Sequence, residues 1–274
     1  VTDDSPRDRR PRNPLVEAVL ARDREAEGAA RTAIRHGQVR LAYQPVVQAA
    51  STERTAFWEG FARVLDETGR VLPAADFLPA IAEDEDARRL DCMALDRGIA
   101  ALIRVPALRL AVNLSARSIG YRPWRRALER GLKRDATLGE RLILEINEES
   151  AMQVPEIAGA FMTEMQAEGI AFALDDVGAG RTSLRHLAEL PVDILKIDGR
   201  FTRDLDTRAD AQAVVRAVAA LARELDLFTV AEKVETAGDA ALLTDIGIDC
   251  LQGYFFAAPT LSPPWADDAT RAAG

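Results

Sequence analysis

FALDDVGAGRTSLRHLAELPVDILKID spans Phe172 to Asp198. An apolar run from Ile170 to Leu174 ends in two adjacent carboxylates, Asp175 and Asp176. A glycine-bearing loop, Val177 to Gly180, follows. Leu184, Leu187 and Leu190 then recur at helical spacing until Pro191 stops the pattern. A second apolar run, Val192 to Ile197, carries Lys196 and ends at Asp198. The order is strand, turn, helix, strand: a βαβ unit. Strands of such units are covered on both faces and mostly apolar, so charges at their tips need a reason. Adjacent carboxylates repel unless protons or cations neutralise them. A bound divalent metal is the simplest cation for Asp175 and Asp176.

The same alternation extends in both directions. Short apolar runs recur as VRLAYQPVV, TAFWEGFARV, LRLAVNL, RLILEIN, IAFALDD, DILKID, LFTVAE and IDCLQG. The first two are joined by a short polar link, Gln48 to Arg54, which suits an antiparallel hairpin. The others are separated by stretches long enough for helices: Pro73–Arg104, Ala116–Arg134, Ala151–Glu168, Ser183–Leu190, Thr202–Leu225 and Thr236–Ile246. Strand–helix alternation implies a parallel sheet, open or closed. Eight runs favour an α/β closed barrel of the TIM type. No run leads into GxGxxG or a Walker loop, which argues against the doubly wound alternative. Ahead of the barrel, Asn13 and Pro14 make a cap and first turn for a helix from Leu15 to about Arg35. Residues 1–12 read as a disordered lead-in, 13–261 as a single domain, and 262–274 as a loose tail.

Composition narrows the function. At 274 residues and 48% hydrophobic content the chain can build a large core, drawn from aliphatic residues since aromatics are 5%. A net charge of −9 argues against a DNA or RNA polymer partner, which requires a basic surface. Cys92 and Cys250 fit no metal spacing and read as reduced thiols. Two histidines, His36 and His186, make a His-rich zinc site improbable. No apolar run reaches the ~20 residues of a membrane helix, and the N-terminus lacks a signal-peptide pattern. The expectation is a cytoplasmic protein without a membrane segment.

Polar side chains recur near the ends of the apolar runs: Glu59 and Arg63, Asn113, Glu145 with Glu148, Asp175 and Asp176, Lys196 and Asp198, Glu232 with Glu235, and Gln252. Taken singly, each is an ordinary cap or surface residue. Jointly they place oxygen-rich tips on successive strands, and in a parallel barrel those tips form one face. A donor set of carboxylates and one amide selects Mg²⁺, Mn²⁺ or Ca²⁺ over zinc. Adjacent aspartates suit a two-metal site, a device for phosphoester hydrolysis, and Arg63 suits a second phosphate.

The chain resembles the EAL domain, the bacterial phosphodiesterase module for cyclic di-GMP. The resemblance runs from LAYQPVV to LQGYFFAAP, almost all of residues 39–260. VNLSARS is similar to the family's NLS segment, LEINEES to its ExxE segment, LDDVGAGRTSL to its DDFGTGxSSL loop, and VAEKVET to VAEGVET. LPVDILKID is nearly the family form. The resemblance implies a barrel with one reversed strand and hydrolysis of cyclic di-GMP to linear pGpG. It implies that Glu59, Asn113, Glu145 and Asp175 hold one metal, Mg²⁺ or Mn²⁺. Asp175 and Asp176, with Glu232 nearby, would organise a second metal and the attacking water. Lys196 would orient that water and Glu232 would be the general base. Glu148 would hold the loop after Asp176. Gln44, Arg63, Asp198, Glu235 and Gln252 would line the dinucleotide pocket or the layer behind it. A homodimer and a sensor or cyclase partner are also implied.

Departures are specific. The signature triplet is Glu59-Gly60-Phe61 instead of Glu-Ala-Leu, so Gly60 is expected to loosen the strand and Phe61 to enlarge a pocket wall. Val177, Ala179 and Arg181 differ in the loop, and Lys233 replaces a common glycine beside Glu232. Two other functions compete. A cyclic di-GMP receptor acting through protein partners would bind without turnover. An enolate-forming lyase also uses Lys, Asp and Glu at strand tips.

Overall fold

The computed structural model describes residues 14–178 and 189–266. All eight apolar runs form strands: β1 Val39–Gln48, β2 Ser51–Val64, β3 Leu110–Asn113, β4 Leu142–Asn147, β5 Ala171–Val177, β6 Ile194–Ile197, β7 Phe228–Ala231 and β8 Cys250–Leu251. They close into a barrel in chain order. β1 runs antiparallel to both β2 and β8, and the remaining neighbours are parallel. The β1–β2 connection is shorter than the expected Gln48–Arg54 link, because Gln48 already pairs with Ser51.

Side chains alternate between the two faces of a strand, so residues two apart share a face. Inside the barrel Val46, Phe57, Ala111, Ile143, Ala173, Ile194 and Val230 form an apolar layer, with Cys250 against it. Two positions further along each forward strand come Glu59, Asn113, Glu145, Asp175, Lys196, Glu232 and Gln252. On the reversed β1 the equivalent step runs backward, from Val46 to Gln44. Eight polar residues, one from each strand or its end, therefore sit directly above an apolar plug.

Outside the barrel, α1 (Pro14–Arg35) packs Ala30, Ala33 and Ile34 onto Val64, Leu72, Phe77, Ile81 and Leu90. Arg31 ties it to Asp84 and Asp86, at the turn between α2 (Ala74–Ile81) and α3 (Glu85–Arg104). The expected Pro73–Arg104 helix is thus two. The Ala151–Glu168 stretch also divides, into α5 (Glu148–Gln153) and α6 (Pro155–Gln166), with α4 (Arg122–Arg134) preceding them. Pro155 lacks an N–H and starts the second of these helices. The stretch after β6 breaks into a helical turn, Gly199–Thr202, and the helix Ala209–Glu224; Ala237–Ile246 follows β7.

The loose tail expected from Ser262 does not begin there. Trp265 packs edge-on against Tyr43 and Trp58, with centroids 5.2 and 4.8 Å apart, and aromatic burial fastens 262–266 to the barrel. The lead-in 1–12, the segment holding Ala179 and Arg181, most of the stretch Ser183–Leu190 where a helix is expected, and residues 267–274 lie outside the described residues.

Gly60 does not loosen β2. It is buried and in register with Tyr43 and Val112. A β-carbon there would lie 3.2 Å from the flexible Leu41 Cδ1 and 3.5 Å from Ala111 O. At Gly253 a β-carbon would meet backbone, 2.0 Å from Val234 O. Gly60→Ala should therefore change unfolding free energy by less than about 1 kcal/mol in urea titrations, and Gly253→Ala should lose about 3 kcal/mol or more.

Asp91 fastens α3 to the turn that follows Asn113: Oδ2 accepts hydrogen bonds from Ser118 Oγ (2.7 Å) and Ser115 N (3.2 Å). Burial pushes its carboxyl up from 3.8 to about 6, against those two hydrogen bonds. Between these values the folded state binds more protons than the unfolded chain, so this contribution to stability is complete below pH 3.8 and is lost as pH rises through 6. Asp91→Asn removes the titration. Urea unfolding at pH 4 and pH 7 should show a wild-type decline, relative to the variant, of about 2 kcal/mol.

Candidate active site

Lys196 stands at the middle of the polar layer and is fully buried. Its Nζ lies 2.9 Å from Glu59 Oε2, 2.8 Å from Glu145 Oε2, 3.2 Å from Asp175 Oδ1 and 2.7 Å from Glu232 Oε1. Amides complete the network. Asn113 Nδ2 donates to Glu59 Oε1 (3.1 Å), and Gln252 Nε2 donates to Glu59 Oε2 (2.8 Å) and Gln44 Oε1 (3.3 Å). Gln44 Nε2 donates to Ala257 O at 2.8 Å. The seven residues expected at these strand ends thus converge, and Gln44, which the resemblance assigned to the pocket, joins them.

Asp176 is brought to the same place by a backbone device. Neighbouring residues of a regular strand face opposite sides. At Asp176 the chain turns to φ +57°, and the β5–β6 register shifts between Leu174 and Val177. Both aspartates therefore line the cleft. Asn147 Nδ2 holds Asp176 Oδ2 at 2.7 Å, and Glu148 Oε2 accepts the Gly178 N–H at 3.0 Å, fixing the chain just beyond.

The electrostatics are those of too many anions for one ammonium. Burial disfavours charge on Lys196, but Glu145, Glu232, Glu59 and Asp175 outweigh it and hold its pKa well above the ordinary value. Burial, with Glu59 and Asp175 adding, drives Glu145 well up despite Lys196. Burial also pushes Glu232 up to about 8, opposed by Lys196. Asp175 goes the other way: burial resists ionisation, yet Lys196 and hydrogen bonds keep it below the usual range. Asp176 is raised by burial and by the charges of Asp175 and Asp198.

This donor set fits a hard divalent cation. Glu145 Oε1 is a buried carboxylate oxygen with no hydrogen-bond partner among the described residues. Ligand atoms of Asp175, Asp176 and Glu232 lie within 4.8 Å of one another, and all are oxygens.

Above this floor opens a cleft of about 650 Å³. Arg63 lies in its wall, half-buried, with its guanidinium 5.4 Å from the centroid of Phe61. Burial lowers its pKa, against the charges of Tyr254 and Glu59. Glu235 lines the rim, where Arg203 pairs with it at 2.7 Å. Asp198 is placed differently from a pocket-lining residue. It is buried, and its Oδ1 accepts the Arg200 N–H at 2.6 Å, so it supports Asp176 from behind. Sequence reading passed over Asn147 and Asp91. Asn147 also caps α5 through Ser150 N, and a cap is all its position suggests. Asp91 sits mid-helix with nothing in its spacing to mark it.

Comparison with known proteins agrees with this geometry. The chain is 33% identical over 240 residues to the bifunctional diguanylate cyclase/cyclic di-GMP phosphodiesterase MucR of Pseudomonas aeruginosa, covering 84% of this chain and 34% of that protein. It is 30% identical over 243 residues to the cyclic di-GMP phosphodiesterase PdeR of Escherichia coli, covering 84% of this chain and 35% of that one. It thus spans about a third of these curated relatives. Among solved structures, a complex of the PaMucR phosphodiesterase with c-di-GMP superposes with a TM-score of 0.75 at 28% identity, covering 86% of this chain and 97% of that one. The FimX EAL domain of Pseudomonas aeruginosa, bound to c-di-GMP, gives 0.76 at 25% identity, covering 90% and 96%. The EAL domain model matches residues 27–259, and the chain belongs to the EAL domain family.

Proposed function

We propose that the chain hydrolyses cyclic di-GMP to linear pGpG with the help of Mg²⁺ or Mn²⁺, lowering the level of this messenger in bacterial signalling. The observation that carries this reading is the convergence of Glu59, Asn113, Glu145, Asp175 and Glu232 around Lys196 on the floor of a cleft. Relatives named for this activity support it.

In this reading Glu59, Asn113, Glu145 and Asp175 would hold one cation, and Asp175 and Asp176, with Glu232 nearby, would hold the second. When bound, such cations polarise phosphate oxygens and make water more acidic. Lys196 keeps the carboxylates together and donates a hydrogen bond to the attacking water. Glu232, held beside Lys196 on the floor of the cleft, takes the proton that this water loses. The water oxygen bonds to phosphorus, one ring phosphoester bond breaks, and the ribose oxygen leaves with a proton. Arg63 binds the phosphate that stays intact, and Gln44 and Gln252 face the nucleotide near Glu59. Glu235 contributes from the rim, Asp198 through Asp176, and Glu148 by holding the Gly178 end of the loop.

The chain acts in the cytoplasm, as a homodimer with a sensor or cyclase partner. The fusion implied by the name of the bifunctional relative supports the cyclase, and among the described residues no helix is long and apolar enough to cross a membrane. The departure at Phe61, which shapes the cleft wall beside Arg63, favours a second reading, a receptor that binds cyclic di-GMP and passes the signal to a protein partner.

Incubation with cyclic di-GMP, with and without Mn²⁺, followed by separation of nucleotides, tests both. Mn²⁺ should yield pGpG and excess chelator should stop it. Glu59→Ala and Lys196→Met should each lower turnover about 10²-fold or more. Turnover that persists in chelator removes the metal mechanism, and binding without turnover at saturating Mn²⁺ selects the receptor.

A further inference from the structure

Lys233 directly follows Glu232 and lines the same cleft as Asp175 and Asp176. Its backbone is left-handed, φ +53°, an unfavourable conformation for a lysine. Its stem lies against Gly199, where a β-carbon would come 2.2 Å from Lys233 Cδ and 2.7 Å from Lys233 Cβ. On the other side the segment is gripped at Gly253, and Val234 N donates to Gln252 O at 3.0 Å. The chain is thus held in a left-handed turn, with the lysine stem packed on Gly199 and the exposed residue among those that line the cleft. Lys233 forms no ion pair among the described residues. Its charge reaches Asp176 and Asp198, favouring the ionised form of each.

We propose that the Lys233 ammonium competes with the second divalent cation at the Asp176 side of the cleft, so that this chain fills its two cation positions unequally. The inference rests on the two-cation reading above and adds to it a residue that weakens one position. Lys233, Asp198 and Asp176 follow or end β7, β6 and β5, whereas Glu59, Asn113 and Glu145 lie on β2, β3 and β4. A cation among Asp175, Asp176 and Glu232 therefore meets the lysine charge more directly than one among Glu59, Asn113 and Glu145. Repulsion between a fixed ammonium and a divalent ion inside a cleft is screened less than at an open surface. The same charge partly neutralises the Asp176–Asp198 pair when the second ion is absent.

The test is binding of Mn²⁺ alone to the full chain, without nucleotide, read by the paramagnetic resonance of free Mn²⁺. Wild type should bind two ions with unequal affinity. Lys233→Gln should tighten the weaker ion about tenfold, with a gain that shrinks as salt is raised, and Lys233→Arg should keep the wild-type value. Asp176→Asn should remove the weaker ion in both backgrounds. Two ions bound with identical affinities in wild type and Lys233→Gln would overturn the role of Lys233 while leaving the proposed function standing. Absence of Mn²⁺ binding to wild type at millimolar concentration would remove the metal reading and this inference together.

Discussion

One buried ammonium makes this barrel possible. Lys196 is surrounded by four carboxylates within 3.2 Å, at a depth where none of them is freely hydrated. An unpaired ion at such a depth is costly, and breaking a buried pair typically costs about 3–5 kcal/mol. Lys196 allows Glu59, Glu145, Asp175 and Glu232 to be assembled, yet it balances only one of their charges. Burial first, and then that deficit, raise the pKa values of Glu145 and Glu232. The fold thus stores an unsatisfied demand for positive charge on the floor of the cleft.

The stacking of this layer on its apolar neighbour explains how much could be read from the chain. Ala111 and Asn113, Ile143 and Glu145, Ala173 and Asp175, Ile194 and Lys196 are each two residues apart, so the inward face and its change from apolar to polar are written in the strand sequences themselves. The strand count was legible from the alternation of apolar runs with helical stretches, and the antiparallel pairing of β1 with β2 from the short link between them. Helix breaks were less so. The division at Ala82–Asp84 falls inside a stretch whose hydrophobic spacing runs on, whereas the one at Val154 was marked by Pro155, which starts the next helix. Asp91 was invisible because its role depends on Ser115 and Ser118, more than twenty residues away, coming within hydrogen-bond reach.

Departures from the family pattern separate into two kinds once seen in place. Gly60 faces outward into the packing between Leu41 and Leu110 and leaves the ladder undisturbed. Phe61, on the other face, stands beside the Arg63 guanidinium and shapes the cleft wall. Lys233 occupies a left-handed turn in which glycine carries no steric penalty, and Gly199 is what leaves room for it. Asp176 also sits in the left-handed region, but aspartate tolerates it better, and the turn is what lets two consecutive carboxylates share one side.

The reversed first strand has a consequence for how the protein is made. Closure depends on Val47 meeting Leu251 and Gln48 meeting Cys250, and Gln44 reaches Gln252 across 208 residues. Contacts between such distant parts of a chain are slow to form, because loop closure must precede any gain from them. A nascent polypeptide still lacking its eighth strand carries an open arc of acids rather than a ring. The ring of polar residues around Lys196 is therefore completed only in the step that seals the barrel.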